Sequence, residues 1–271
     1  MLRLPLVPVV SLVAGAFALV GCGEGTGPNA NRQVGVGFRL ATTSTATGGS
    51  ALSPTATSSS AAATPSGFSL KSGADEILIT KAQVVVKNVK LKATSAVCAD
   101  DDDDDMDGDD EDDCPVVTVG PSLVDVPVSG ADGGRIAVKV PEGRYSAIRL
   151  TIHKVSSSDS ADRAFRRDYP DFRDISIRLE GTYNTRPFVF THDINARLDV
   201  PLSAPITIGE GGDDVTVTID MTDWFLKPGG GLYSPAEGNV PGMVRAKIQN
   251  NIRNAFRAFR DRDRDGKDDD R

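Results

Sequence analysis

Short runs in which every second residue is apolar recur along most of this chain, with no long helical pattern between them. Ile175, Ile177 and Leu179 make one run; Val215, Val217 and Ile219 make another. Successive side chains of an extended strand point to opposite faces, so each run predicts a strand with one buried side. Comparable segments span 76–91, 123–128, 135–140, 145–155, 174–183, 188–194, 197–202 and 215–221. Clusters of Gly, Pro, Asn and Asp part them, and Tyr183-Asn184-Thr185-Arg186 has the look of a hairpin tip. Many short strands between turn signals predict an all-β fold, an antiparallel β-sandwich, and argue against a parallel α/β sheet. Trp224 and Phe225 follow a strand and are expected to plug the core.

The borders of that domain follow from composition. Val34, Val36, Phe38 and Leu40 alternate, making 34–40 a candidate first strand. Residues 41–67 are nearly all Ser, Thr, Ala, Gly and Pro, which offers little apolar surface and predicts a flexible linker. Loop-closure entropy grows slowly with length, so membership of the first strand in the domain stays open. Helix is expected late. Ser234-Pro235-Ala236-Glu237 has capping-box order with Pro at the first helical position. Val244, Ile248, Ile252, Ala255, Phe256 and Phe259 then fall at helical spacing, with Arg and Lys between. This predicts a C-terminal helical segment packed on the sheets; a strand, or a basic amphipathic face on lipid headgroups, is the alternative. The domain so drawn spans 68–260, and 261–271 remain as a polar tail.

The N-terminus is built for processing. Arg3 precedes an apolar stretch over 4–20, close to the shortest length that spans a bilayer, and Pro5 and Pro8 break its first turns. A positive start, a short apolar run and small residues at its end mark 1–21 as an export signal. Leu19-Val20-Gly21-Cys22 resembles the lipobox of bacterial lipoproteins, which implies a lipid on Cys22 and a tether over 22–33. Gly23, not Asp, follows the cysteine, and the resemblance then favours the outer over the inner membrane in a Gram-negative cell envelope.

Charge is concentrated in one place. From 100 to 113 every residue is acidic except Met106 and Gly108; without those 12 acids, 26 acidic residues face 30 basic ones. Cys98 and Cys114 bracket this insert. Outside the cytoplasm they are expected to form a disulfide, closing a loop of about 15 residues worth roughly 3 kcal/mol. Two stretches carry the order Asp-x-Asp-x-Asp-Gly, in which alternate carboxylates ahead of a glycine turn can wrap a hard cation. The first offers Asp103, Asp105, Asp107, Asp109 and Glu111 as calcium ligands, although Cys114 stands where an EF-hand has its bidentate Glu. The second offers Asp261, Asp263, Asp265, the Lys267 carbonyl and Asp269, and resembles the short calcium loops of thrombospondin type 3 and dockerin repeats. Arg262 and Arg264 partly neutralise it, and the given residues end before a final acidic ligand. The competing expectation is a self-repelling acidic loop and a frayed tail.

No catalytic constellation stands out, and no cofactor is expected apart from calcium. His153, and His192 followed by Asp193, suggest a zinc site or a His-Asp pair, yet no His-x-x-Glu-His motif or nucleophile elbow accompanies them. Ordinary strand histidines are the expectation. Gly229-Gly230-Gly231 lacks the Lys-Ser/Thr of a phosphate loop. Acids interrupt the basic runs 163–167 and 253–264, so nucleic acid is not an expected partner; anionic lipid or polysaccharide suits an exported chain better.

A wider resemblance joins these features. The lipobox is followed by Ile79-Thr80-Lys81-Ala82-Gln83-Val84-Val85-Val86, the Cys-bracketed insert, Leu123-Val124-Asp125-Val126-Pro127-Val128, Val140-Pro141-Glu142-Gly143-Arg144-Tyr145 and Glu180-Gly181-Thr182-Tyr183-Asn184. Together they resemble uncharacterised bacterial lipoproteins with a β-sandwich domain. The Pro-x-Gly-x-Tyr stretch resembles a turn and strand of transthyretin-like and carboxypeptidase-regulatory sandwiches. The resemblance implies an immunoglobulin- or transthyretin-like sandwich at the cell envelope and carries no active residues across. The expected role is a membrane-tethered binding or structural module facing an envelope protein or glycan. The alternative is a hydrolase of envelope polymer using carboxylates that the sequence does not single out.

Overall fold

The computed structural model describes residues 31–41, 59–64, 66–94, 120–129, 133–209, 214–265 and 267–270. They form a β-rich fold, one 12-stranded mixed sheet with few helices. In chain order the strands are β1 (Asn31–Leu40), β2 (Ser59–Thr64), β3 (Gly67–Ser72), β4 (Asp75–Ala93), β5 (Ser122–Val126), β6 (Arg135–Pro141), β7 (Gly143–Ile152), β8 (Ile177–Tyr183), β9 (Arg186–His192), β10 (Ala196–Ile208), β11 (Asp214–Ile219) and β12 (Phe256–Arg260). Helices α1 (Ser160–Asp168), α2 (Pro235–Gly238) and α3 (Met243–Arg253) complete the set, with a 3₁₀ turn at Pro170–Phe172. Among the described residues no helix is long and apolar enough to cross a membrane.

Two long strands organise the sheet. The first half of β4 lies between β3 and β8, and its second half pairs with β5 and β7. Strand β10 pairs with β7 at both ends, with a register shift between Pro201 and Ile206, and its other edge touches β12 through Leu202 and Ala258; β11, β1 and β6 follow beyond. Most ladders are antiparallel, but β1–β11 and β10–β12 are parallel, so the sheet is mixed where a wholly antiparallel one was expected. Long connections between these strands make such pairing available, whereas hairpins enforce the antiparallel kind.

The central Val84-Val85-Val86 run shows why alternation alone under-reads β4. Val84 and Val86 face the main core, while Val85 joins Val155, Phe165 and Phe172 in a second cluster under α1. A strand covered on both sides is apolar at consecutive positions. Helix α1 was not anticipated, although its signals are local. Asp159 caps it by accepting from Ala161 N at 2.7 Å, and Asp162 and Arg166–Arg167 complement the helix dipole at its two ends.

Three further expectations are corrected. The linker assigned to 41–67 contains β2 and the start of β3, because a Ser/Ala-rich strand needs no large side chains when it pairs at a sheet edge. The tether assigned to 22–33 overlaps β1, which begins at Asn31 and runs between β11 and β6 with Val34, Val36, Phe38 and Leu40 buried. The late helical pattern over 244–259 breaks at Arg253, and Phe256–Arg260 pairs as β12 on β11. Ile252, Phe256 and Phe259 keep helical spacing, but the buried pair Phe256 and Ala258 alternates as a strand does. The hairpin tip is observed as read: Asn184 and Thr185 both have positive φ (48° and 69°), matching a two-residue type I′ turn.

The free edge of β9 is covered by a side chain acting as a strand. Asn239, just after α2, accepts from Thr191 N and donates to Val189 O, each at 2.8 Å. Such a cover removes the exposed ladder groups that would otherwise recruit another chain.

Candidate metal centre and buried histidines

The end of β12 carries the strongest convergence of ligand-type side chains. The β11–β12 ladder extends one residue further when Asp261 N donates to Asp214 O at 3.0 Å, which draws Asp261 fully inside. There Thr216 Oγ1 donates to Asp261 Oδ2 at 2.6 Å. Beyond this point the chain curls, and carboxylate oxygens of Asp261, Asp263 and Asp265 lie within 4.8 Å of one another. One of the three is buried and two are exposed. The expected frayed tail is therefore a folded segment. Asp269 N donates to Arg260 O, Asp269 Oδ2 accepts from Arg262 N at 2.6 Å, and Arg39 Nη1 donates to Asp265 O at 2.6 Å.

One expected ligand is engaged elsewhere, and another brings a competing charge with it. Asp269 stays outside the converging group, since its carboxylate closes the turn on Arg262 N. Lys267 places its ammonium on Asp265 Oδ2 at 2.6 Å while its N–H donates to Asp265 Oδ1. That side-chain hydrogen bond holds the Asp265 carboxyl below its ordinary value and raises the Lys267 amine. Beside the group, burial alone would raise Asp214, but hydrogen bonds from Arg264 and Arg135 keep it low. Arginines and a lysine thus offset part of the negative charge that a cation would otherwise neutralise.

The first calcium set, Asp103, Asp105, Asp107, Asp109 and Glu111, lies outside the described residues, as do Cys22, Cys98 and Cys114.

The histidines occupy two different environments. His153 Nε2 faces both oxygens of Asp162, at 2.8 and 2.9 Å, and Asp162 is wholly buried and also accepts from Ser156 N. Lys87 bonds Asp159 at 2.7 Å and stands 3.9 Å from Asp162. The cluster fastens α1 to the sheet. Adjacency in sequence points to Asp193 beside His192, whereas Asp162 becomes a neighbour of His153 only once α1 folds back. At His192 the Nδ1–Asp193 Oδ1 distance is 3.7 Å, too long for a hydrogen bond. Asp193 is instead taken by Arg245 at 2.5 Å and by Lys154 at 3.2 Å, and the Arg245 bond lowers it to about 2. His192 itself is 1% exposed with no partner at Nδ1, and burial, reinforced by the Arg245 charge, pushes it down to about 4.

No protein-family model, no curated protein and no solved structure matches the chain.

Proposed function

We propose that the chain is an exported protein, held in the cell envelope by lipid on Cys22, whose β domain is a binding or structural module with a calcium loop at Asp261–Asp265. The observation that carries the calcium part is the approach of three carboxylates at the end of one strand. Repulsion disfavours three acids at that spacing unless cations share the space. Lys267 now supplies one such charge. Calcium seeks six to eight oxygens; three carboxylates and water meet that number loosely, so affinity is expected at about 10⁻⁴ to 10⁻³ M.

The domain is best taken as a sandwich of two facing strand groups. Strand β4 changes partners halfway along, as strands do when they pass from one sheet to the facing one, and the β10–β7 ladder is broken by a register shift between Pro201 and Ile206. One continuous buried cluster draws on β1, β3, β4, β7, β10 and β11. Cys98 and Cys114 would join across the base of the acidic insert.

Calorimetric titration of the full chain with calcium chloride is the direct test. Wild-type protein is expected to give saturable heat in the millimolar range, reduced by Asp263→Asn with Asp265→Asn. Both side chains are exposed, so the fold should tolerate the exchange. Absence of heat removes the calcium loop, and equal heat in the variant moves binding elsewhere, with the acidic insert the first place to look. For the address, mass spectrometry of mature protein is expected to find Cys22 acylated at the N-terminus. An intact leader or a free Cys22 thiol would overturn it.

A further inference from the structure

Where β10 begins, beside the corner joining α3 to β12, three arginines share a cleft without free acidic partners. Arg197 comes from β10, Arg253 ends α3 and Arg257 lies in β12; the space they line measures about 460 Å³. Elsewhere the chain matches many of its guanidiniums with acids, such as Arg32 with Glu142, Arg135 with Asp214 and Arg245 with Asp193. The side chains of Arg197 and Arg253 make no hydrogen bond and no ion pair with the described residues. The one acid in the cleft, Asp199, is already engaged by Arg149 at 2.7 and 3.4 Å. Arg257 donates through Nη1 to the carbonyls of Asn254 and Phe256, at 2.9 and 2.7 Å. Those two bonds fix its plane and leave the rest of its fork for a ligand.

We propose that this cleft binds a phosphoryl group carried on a larger molecule. Guanidinium forks pair with carboxylate and phosphate oxygens through parallel N–H donors. A lone carboxylate answers one fork and leaves the other two charges without a counter-charge. A phosphomonoester brings close to two negative charges and three acceptor oxygens, enough to engage several forks at once. The cleft is roomy enough to take in the body that bears the phosphoryl as well. Neither calcium nor the Cys22 anchor takes part in this binding.

The test uses the full chain carrying Cys22→Ser, so that no acyl group contributes, and titrates it calorimetrically with pyrophosphate. Saturable heat that weakens as salt rises is expected. Replacing Arg197 and Arg253 with Gln should weaken binding about tenfold or more for each lost fork. The thermal midpoint should hold, since neither side chain makes a structural bond. The corresponding Lys variants, which keep charge but lose the fork, should fall between. Arg186→Gln, at the β8–β9 turn, should change nothing. In a second arm, vesicles of phosphatidylcholine containing phosphatidic acid, a lipid phosphomonoester, are compared with vesicles of phosphatidylcholine alone. Attachment that needs phosphatidic acid and both arginines assigns the phosphoryl to a lipid headgroup; pyrophosphate heat without vesicle attachment assigns it to a soluble or polymer-borne phosphate. No heat with wild-type protein, or equal heat in the Gln double variant, overturns the site.

Discussion

Replacing Trp224 with alanine is expected to lower unfolding free energy by about 3–5 kcal/mol. The side chain is wholly buried and is the chain's one tryptophan. It follows β11, next to Phe225, whose ring meets Phe190 edge-on at 5.2 Å between centroids. The backbone at this point is pinned: Asn251 of α3 donates its amide to the carbonyls of Asp223 and Trp224, at 2.7 and 3.3 Å. Helix and sheet therefore cannot slide together to fill the space an alanine would leave, and the full cavity cost should appear. Trp224→Phe should cost much less. Trp224 Nε1 has no hydrogen-bond partner, and a buried unsatisfied donor carries a penalty of about 1–3 kcal/mol that phenylalanine avoids. Urea denaturation followed by far-ultraviolet circular dichroism measures both variants without relying on the indole. A loss below about 1 kcal/mol for the alanine variant would mean the site collapses freely. Equal losses for Ala and Phe would mean the indole N–H is satisfied after all.

Trp224 and Phe225 were legible as core because large aromatics after a strand have nowhere better to go. The same holds for the alternating runs, which mark β6, β8 and β11 within a few residues of their observed bounds. Legibility failed where structure depends on partners distant in sequence. A Ser/Ala stretch carries no sign that it will pair with β3, because edge pairing uses backbone groups common to all residues. Phe256 fits the helical spacing of Ile252 and Phe259 and also the strand alternation with Ala258, and the presence of β11 alongside decides between them. The parallel contact of β1 with β11 joins residues far apart in the chain, and alternation specifies a buried face without naming the neighbour.

The candidate sites divide the same way. Asp261, Asp263 and Asp265 were visible because their spacing is local, and the structure brings those three together. Asp269 was assigned as a ligand by position, yet the turn uses its carboxylate on Arg262 N, and the Lys267 ammonium, distinct from the carbonyl that the spacing offered, pairs with Asp265. The arginine cleft had only a faint signal, a basic stretch after α3 interrupted by acids. Arg197 reaches it from another strand, and acids counted along the chain turn out to be engaged elsewhere in space.

Acidification from neutral pH to about pH 5 should cost about 2 kcal/mol of stability through His192. The residue ends β9 with its carbonyl held by Ser176 N and Oγ, at 2.8 and 3.1 Å, so the ring cannot leave without breaking that ladder. Burial is the main cause of its low pKa, about 4 against an ordinary 6.5, and the charges of Arg245 and Arg253 add to it. The Arg245 carbonyl and Asp193 pull the other way and do not prevail. Between those two values the unfolded chain binds the proton and the folded one does not, so unfolding gains with each step down in pH. The contribution is fully present above about 6.5 and is lost as pH falls toward 4. Asp193, held near 2, and the lowered carboxyls of Asp75, Asp159, Asp214 and Asp265 withdraw their support in more acid solution, below the ordinary carboxylate range. Asp223, raised by burial, acts in the opposite sense. All of these are shared with a His192→Leu variant, so subtracting its stability-versus-pH curve from that of the wild type isolates the imidazole. The difference should slope by about 1.2 kcal/mol per pH unit between pH 5 and 6 and flatten above 7. Parallel curves across that window would show that the buried ring does not resist protonation.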